Sequence, residues 1–340
     1  MTLFVGPVAK TGGPAIKNSI TLKHLFPVGG CALVNTYSRR LGSRLGGIAR
    51  TVLSKDDQAI IAVSRKGRAV LWPIVHRKAK ADPSFRYALV CIGGTVADEA
   101  GSSDSLLDCM GDASLVAVET RGVVERLRVL GVENVHLMTN FVDDLSSRRM
   151  APRPVARGSL RFVFLSSVRN KKGVGTMVSA FREAVASGLE ASLDIYGPVK
   201  ADFDRSVLEG IGEDEPISYR GVVLNSEVVE TLAGYDCFVF PSEYEAEGFP
   251  AVLAEAMAAG LPILASDVCY NSEIVVDGRN GWLFPAGNAT ALARLFVRCE
   301  GRREELARMA AFNYEDCLRY DAAVVVDGFR RALEGRGWSL

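Results

Sequence analysis

The chain has no apolar run of the roughly 18–20 residues that a membrane-crossing helix needs. Its first residues, MTLFVGPVAK, lack the basic-then-apolar layout of a secretory leader. None of the seven cysteines (31, 91, 109, 237, 269, 299, 317) stands in a CxxC pair. Most lie in apolar stretches such as Leu89–Val90–Cys91–Ile92, and they read as reduced core thiols of a cytoplasmic protein. Histidine is scarce: His24, His76 and His136 show no HxxxH or HExxH spacing, so no metal site is expected. There is no GxSxG, no Ser/His/Asp arrangement and no GxxxxGK[ST]; the segment KKGVGT is not a phosphate loop of that kind. Internal repeats and low-complexity tracts are also missing.

What is present is a globular composition, 48% hydrophobic and 24% charged, on 340 residues, enough for two domains of ordinary size. Net charge is zero but unevenly spread. Residues 1–80 carry fourteen Lys/Arg against Asp56 and Asp57, a balance of +12. Residues 151–340 carry 20 basic and 27 acidic residues, a balance of −7. Such asymmetry fits an anionic partner, and it equally fits a solvated basic face. No nucleic-acid partner is expected. In segment 38–53, Leu41, Leu45, Ile48 and Val52 fall on one helical face, with Arg39, Arg40, Arg44 and Arg50 off it. That pattern suits a helix lying on an anionic membrane surface or one packed on its own sheet.

Apolar β-branched runs alternate with helical patterns from end to end. Buried parallel strands are predicted at Leu3–Val5, Ala32–Val34, Ala59–Val63, Tyr87–Ile92, Leu115–Val118 and Val135–Met138. A second set is predicted at Arg161–Leu165, Ser192–Tyr196, Ile217–Tyr219, Cys237–Phe240, Ile263–Ala265 and Trp282–Phe284. Between them lie helices such as Met177–Ala186, Glu227–Ala233, Val252–Ala259 and Ala291–Arg298. The alternation implies doubly wound α/β domains. The stretch DDLSSRRMAPRPVARG, residues 143–158, has two prolines, clustered charge and no periodicity, and reads as a linker. The expected division is 1–142, linker 143–158, 159–320, and a C-terminal helix 321–340 free to pack back on the first domain. Two such domains facing a central cleft would bind ligands at the carboxyl ends of their strands.

One constellation carries chemistry. The strand ending in Phe238–Val239–Phe240–Pro241 runs into Ser242–Glu243–Tyr244–Glu245–Ala246–Glu247–Gly248–Phe249–Pro250, and a helix follows. Pro250 suits the first helical turn, where no N–H is needed. Free N–H groups at a helix start attract phosphate. Glu247, in the loop beside such a start, is suited to accepting hydrogen bonds from hydroxyls. Glu255 lies inside an otherwise apolar helix, where a charge needs a partner; a ribose diol is the partner that dinucleotide-binding folds give an acidic residue. Taken singly, each glutamate also fits a plain surface or helical position.

The motif PSxxxxEGFPxxxxEAMAAGLPILASD, with Glu247 and Glu255 as an E-x7-E pair, resembles the retaining glycosyltransferases of family 4, which have the GT-B fold of two Rossmann-like domains. Tyr219–Arg220–Gly221–Val222, Lys172–Gly173 and Glu273–Ile274–Val275–Val276–Asp277–Gly278–Arg279–Asn280–Gly281–Trp282–Leu283–Phe284–Pro285 extend it over about 160–300. In the first half, VGPVAKTGGPAIKN, Ile92–Gly93–Gly94, Val118–Glu119–Thr120 and Thr139–Asn140–Phe141 resemble the capsule and exopolysaccharide branch.

The resemblance implies a metal-free hexosyltransferase. It would take a nucleotide-diphosphate sugar as donor and a glycan or polyprenyl-diphosphate-linked glycan as acceptor, in the cytoplasm or on the inner face of the plasma membrane. It implies that Lys172 binds the donor diphosphate and Glu247 the hexose hydroxyls. Gly248, the Phe249 backbone and Ala251 would lie beside Glu247, and Glu255 would hold the ribose. Gly12 and Gly13 would let the backbone approach phosphate or acceptor; a tight turn explains them equally. The arginine that the family places five residues before the lysine is Ser167 here, so Arg169 is expected as the second catalytic cation. Cys269–Tyr270 stand where the family often shows glycines. His76 is the histidine nearest to an acceptor role, and it also fits a core or surface position. Two other functions use the same resemblance: a nucleotide-sugar epimerase or sugar phosphorylase, and a non-catalytic sugar-nucleotide-binding subunit.

Overall fold

The computed structural model describes residues 1–9, 12–37, 41–154 and 158–340, with the backbone alone at 41–45 and 48. Lys10, Thr11, Arg39, Arg40 and residues 155–157 lie outside the described residues, as do the side chains of Leu41, Arg44, Leu45 and Ile48. The described chain forms two compact units, Met1–Asp143 with Ala322–Leu340, and Asp144–Asp321.

The first unit is built on β1 (Thr2–Gly6), β2 (Cys31–Asn35), β3 (Gln58–Val63), β4 (Arg86–Cys91), β5 (Leu115–Val118) and β6 (Val135–Leu137). They form one parallel sheet in the order β2-β1-β3-β4-β5-β6. Nearly every residue of β1 and β3–β5 is buried, as continuous apolar runs covered by helices on both faces require. The helix Ala322–Glu334 belongs to this core: Val326, Phe329 and Leu333 pack with Phe4, Ile60, Val90 and Met138. Ala322 N donates to Val142 O at 2.9 Å, and Gln58 Nε2 to Ser339 O at 2.6 Å, tying the chain's end to the sheet.

Segment 38–53 contributes the helix Leu41–Leu53. Of its expected apolar face, only the Val52 side chain lies among the described residues. Gly47 lies against Val34 and Thr51 is fully buried, whereas Val52 is exposed. A Cβ at Gly47 would stand 3.2 Å from Val34 Cγ1, a tight contact that the small residue avoids.

The second unit is built on β7 (Leu160–Leu165), β8 (Ala191–Tyr196), β9 (Ile217–Gly221), β10 (Cys237–Phe240), β11 (Ile263–Asp267) and β12 (Gly281–Pro285). The order is β12-β11-β10-β7-β8-β9, again all parallel. Phe162, Phe181 and Phe296 meet edge to face, with centroids 4.8–6.0 Å apart, and fasten the helices Val174–Ala186 and Ala289–Gly301 to β7. The stretch 143–158 holds a short helix, Leu145–Arg148, with Leu145 fully buried.

All twelve expected strands are present, with ends moved by at most two residues. The helices expected at Met177–Ala186 and Ala291–Arg298 are longer, Val174–Ala186 and Ala289–Gly301, and two others differ in form. Glu227–Ala233 is a 3-10 turn, Asn225–Glu227, followed by the α-helix Val228–Leu232. The helix expected at Val252 begins at Ala251, and Pro250 is its extended N-cap instead of its first-turn residue; the Pro250 carbonyl accepts from Leu253 N.

The order of strands fixes where a site can form. In the second unit β7 comes first in the chain and lies between β10 and β8, so the connections leaving it diverge. The crevice at the carboxyl ends of β7 and β10 is the topological switch point of this sheet, where α/β folds bind ligands.

Candidate functional site

The loop after β7 makes a 3-10 turn, Asn170–Lys172, then Gly173 with φ 69° opens the helix Val174–Ala186. A Cβ on Gly173 would stand 1.8 Å from the Pro241 carbonyl oxygen, so only glycine lets this turn lie against the end of β10. The contact is continued by Glu243 N donating to Lys171 O at 2.9 Å and by Thr176 Oγ1 donating to Glu243 Oε1 at 2.5 Å.

This close approach brings Lys172 to Glu247. The lysine ammonium donates to Glu247 Oε2, and both side chains are largely buried. Ser242 Oγ, itself fully buried, donates to the same oxygen at 2.9 Å. Ser242 is held in turn by Ser266 Oγ, which donates to the Ser242 carbonyl at 2.5 Å. Lys172 Nζ also lies 5.2 Å from the Phe240 ring centroid. The result is a cation and a carboxylate side by side at the switch point, with a helix N-terminus on each flank. A cation with free N–H groups suits an anion, and a carboxylate suits hydroxyls.

Glu255 lies on the helix Ala251–Ala258 and is buried. Burial pushes its carboxyl up to about 7, and Arg148 opposes the shift only by distant attraction. Among the described residues no hydrogen bond reaches this carboxylate. Arg148 directs its guanidinium to the carbonyls of Asn225 and Ser226, at 2.9 and 3.3 Å. A buried carboxyl shifted this way by desolvation makes its position a functional-site candidate.

The remaining expected site residues are placed as follows. Gly248 and Ala251 bracket the turn into the helix, and both are half-buried. Phe249 sends its ring onto Tyr320, 4.8 Å between centroids, leaving its backbone as the part beside Glu247. Arg169 is not brought to the pair: its Nε donates to Asp202 Oδ1 at 3.0 Å, in the loop after β8. Gly12 and Gly13 belong to the first unit, where Gly12 with φ 88° caps the helix Gly13–Leu25; a Cβ on either meets no described atom within 4 Å. His76 Nε2 is 2.7 Å from Asp112 Oδ2.

Several contributors carried no role in the sequence reading. Ser242 and Tyr244 lie inside the quoted motif, but nothing in their spacing shows which side chain turns inward. Cys269 did leave a signal, standing where glycines are common. It adopts φ 52°, a left-handed conformation, and its thiol donates to the Glu245 carbonyl at 2.8 Å, bracing the loop that carries Glu247. In the first unit Glu119, after β5, accepts from Gly93 N, after β4, at 3.0 Å and from Nζ of Lys17, in the helix Gly13–Leu25, at 2.6 Å. Among the described residues no group of three or more His, Cys, Asp or Glu is arranged to hold a metal ion, and no helix is long and apolar enough to cross a membrane.

Residues 159–300 match the family model described as Glycosyl transferases group 1. The second unit carries a glycosyl transferases group 1 domain. Curated relatives agree with this assignment. The amylovoran biosynthesis glycosyltransferase AmsK of Erwinia amylovora is 32% identical over 145 residues, 41% of this chain and 35% of that protein. The phosphatidyl-myo-inositol mannosyltransferase of Mycobacterium leprae is 30% identical over 212 residues, 62% of this chain and 55% of that protein. The chain therefore spans about a third to just over half of the length of these relatives.

Solved structures extend the fold beyond the glycosyl transferases group 1 domain. Anabaena Alr3699/HepE, solved in complex with UDP, superposes with a TM-score of 0.79 over 98% of this chain and 99% of that one, at 15% identity. The apo form of the lipopolysaccharide outer core galactosyltransferase WaaB gives 0.72 over 99% and 100%, also at 15%. The two units together thus supply the two doubly wound parallel sheets of the GT-B architecture.

Proposed function

We propose that this protein is a retaining glycosyltransferase. It moves a hexose from a nucleotide-diphosphate sugar to a hydroxyl of a glycan or lipid-linked glycan in surface-polysaccharide synthesis. The observation that carries the reading is the Lys172–Glu247 pair, completed by Ser242, at the switch point of the second sheet. The match of residues 159–300 to the glycosyl transferases group 1 model supports it.

In this reading Lys172 releases Glu247 and turns to the donor diphosphate, and Glu247 accepts hydrogen bonds from the hexose hydroxyls. The N–H groups opening the helices Val174–Ala186 and Ala251–Ala258 add positive potential toward the leaving phosphate. Gly248, the Phe249 backbone and Ala251 line the sugar, and Glu255 takes the ribose diol. Charge stabilisation of the leaving diphosphate is the main catalytic term. The departing phosphate oxygen takes the acceptor proton on the same face, so the reaction balances without a protein nucleophile. No metal takes part. The basic first 80 residues and the exposed Val52 and Leu53 fit an acceptor presented at an anionic membrane surface.

A thermal-shift panel of UDP-, GDP- and dTDP-linked sugars tests the reading, because a bound donor raises the melting temperature by mass action. A shift for at least one donor, with release of nucleoside diphosphate when acceptor is added, is the expected result. Donor conversion without acceptor would favour an epimerase. Binding without turnover against any glycan acceptor would favour a non-catalytic subunit.

A further inference from the structure

The loop after β7 carries three cations within four residues, Arg169, Lys171 and Lys172. The strands on either side of β7 divide them. Toward β8, Val168 bridges to Val199, Asp204 N donates to Asn170 Oδ1 at 2.9 Å, and Arg169 Nε donates to Asp202 Oδ1 at 3.0 Å. Toward β10, the Lys171 carbonyl accepts from Glu243 N, and Lys172 reaches Glu247. Lys171 Nζ lies 3.4 Å from the Tyr244 ring centroid, and Lys172 Nζ lies 6.0 Å from the same centroid. Two ammonium groups therefore meet at one tyrosine of the loop that holds Glu247. The guanidinium sits on the opposite flank.

We propose that Lys171, and not Arg169, is the second cation of the diphosphate site, held ready beside Lys172 on the face of Tyr244. The proposal rests on the donor-site reading above and adds a binding residue to it. A nucleoside diphosphate carries more negative charge than one lysine already shared with Glu247 can balance. Of the two remaining cations, Arg169 would have to give up a charge-assisted hydrogen bond and cross from the β8 side to the β10 side. Lys171 has only to leave an aromatic face, a weaker interaction than an ammonium–phosphate hydrogen bond. Asp202 attracts Lys171 as well, but its hydrogen bond goes to Arg169. Arg169 thus screens Asp202 and leaves the ammonium of Lys171 available to phosphate. Lys171 also explains how the loop works with Ser167 in place of an arginine. The lost charge is replaced four residues later, on the flank that faces the switch point.

Calorimetric titration of the full chain with UDP, GDP and inorganic pyrophosphate, each in EDTA, decides the matter, with uridine and guanosine as phosphate-free controls. Lys171→Gln is expected to weaken the nucleoside diphosphate that binds, and pyrophosphate, by about tenfold or more, while nucleoside affinity stays unchanged. Lys171→Arg should recover most of that loss, and Arg169→Gln should stay within about twofold of the parent. Both positions are partly exposed, and matching melting temperatures will verify folding. A larger loss from Arg169→Gln, an equal loss from both glutamine variants, or an equal loss for nucleosides would overturn the assignment. If the parent chain binds UDP or GDP and Lys171→Gln binds it as tightly, Lys171 falls and the donor site stands. If the parent binds none of the three phosphate ligands, the donor-site reading falls and this assignment with it.

Discussion

Lys172 and Glu247 are 75 residues apart in the chain and form one largely buried ion pair across the gap between β7 and β10. Neither strand alone carries a site. The pair exists because β10 returns to the far side of β7 from β8, placing two loop ends next to each other.

Removing one member of this pair leaves the other charge buried without its partner, which costs about 3 kcal/mol in such pairs. Lys172→Met and Glu247→Gln should each lower stability, and the double variant should recover part of the loss. Chemical denaturation of the four chains gives the coupling; a coupling energy below about 0.5 kcal/mol would mean the two side chains act independently. Glu247→Ala should also abolish sugar transfer, and wild-type turnover in that variant would sink the site assignment.

Gly173 and Gly12 both have positive φ, but only Gly173 is hemmed in. Alanine at Gly12 should cost about 2 kcal/mol, the positive-φ backbone strain alone, because φ 88° with ψ 123° is a conformation that favours glycine. Alanine at Gly173 adds a clash with the Pro241 carbonyl and should cost about 3 kcal/mol or more. Melting curves of the two variants separate the cases; equal losses would show that the β7–β10 contact yields easily.

Glu255 should make stability depend on pH. With its carboxyl at about 7, the folded chain keeps a proton between pH 4.5 and 7 that the unfolded chain has released. Its contribution to stability therefore falls as pH rises through that window and is constant above it. Glu255→Gln should match the parent near pH 5 and exceed it by about 3 kcal/mol at pH 8. Urea titrations at the two pH values check this, and an equal effect at both would refute the assigned shift. Under the proposed function, nucleotide affinity should drop as pH falls below 7, because a protonated carboxyl accepts fewer hydrogen bonds from the ribose.

Cys269 braces the Glu247 loop from a strained conformation. Cys269→Gly relieves the strain and removes the thiol hydrogen bond, so stability should change by less than about 1 kcal/mol while the donor KM rises. Cys269→Ser should restore the KM. An unchanged KM in the glycine variant would show that the loop holds its shape without this contact.

The twelve strands were legible because buried parallel strands are short, continuous apolar runs bounded by turn residues, and each run encodes itself locally. Glu247 and Glu255 were legible for a related reason. A carboxylate in an apolar helix and another beside a Gly-Phe-Pro turn stand out against their neighbours. Ser242, Tyr244 and Lys171 did not, since their roles depend on which way a loop folds over an adjacent strand.

The sequence by itself determined the α/β class, the positions of the strands and the carboxylates of the candidate site. Tertiary structure decided who partners whom. It gave Lys172 to Glu247 and Arg169 to Asp202, because strand order and not chain order sets which loops are neighbours. It returned residues 322–340 to the core of the first unit, where Phe329 and Leu333 find apolar surface to cover. Among the described residues it also left Glu255 without a hydrogen bond, while the arginine that attracts it donates to two backbone carbonyls.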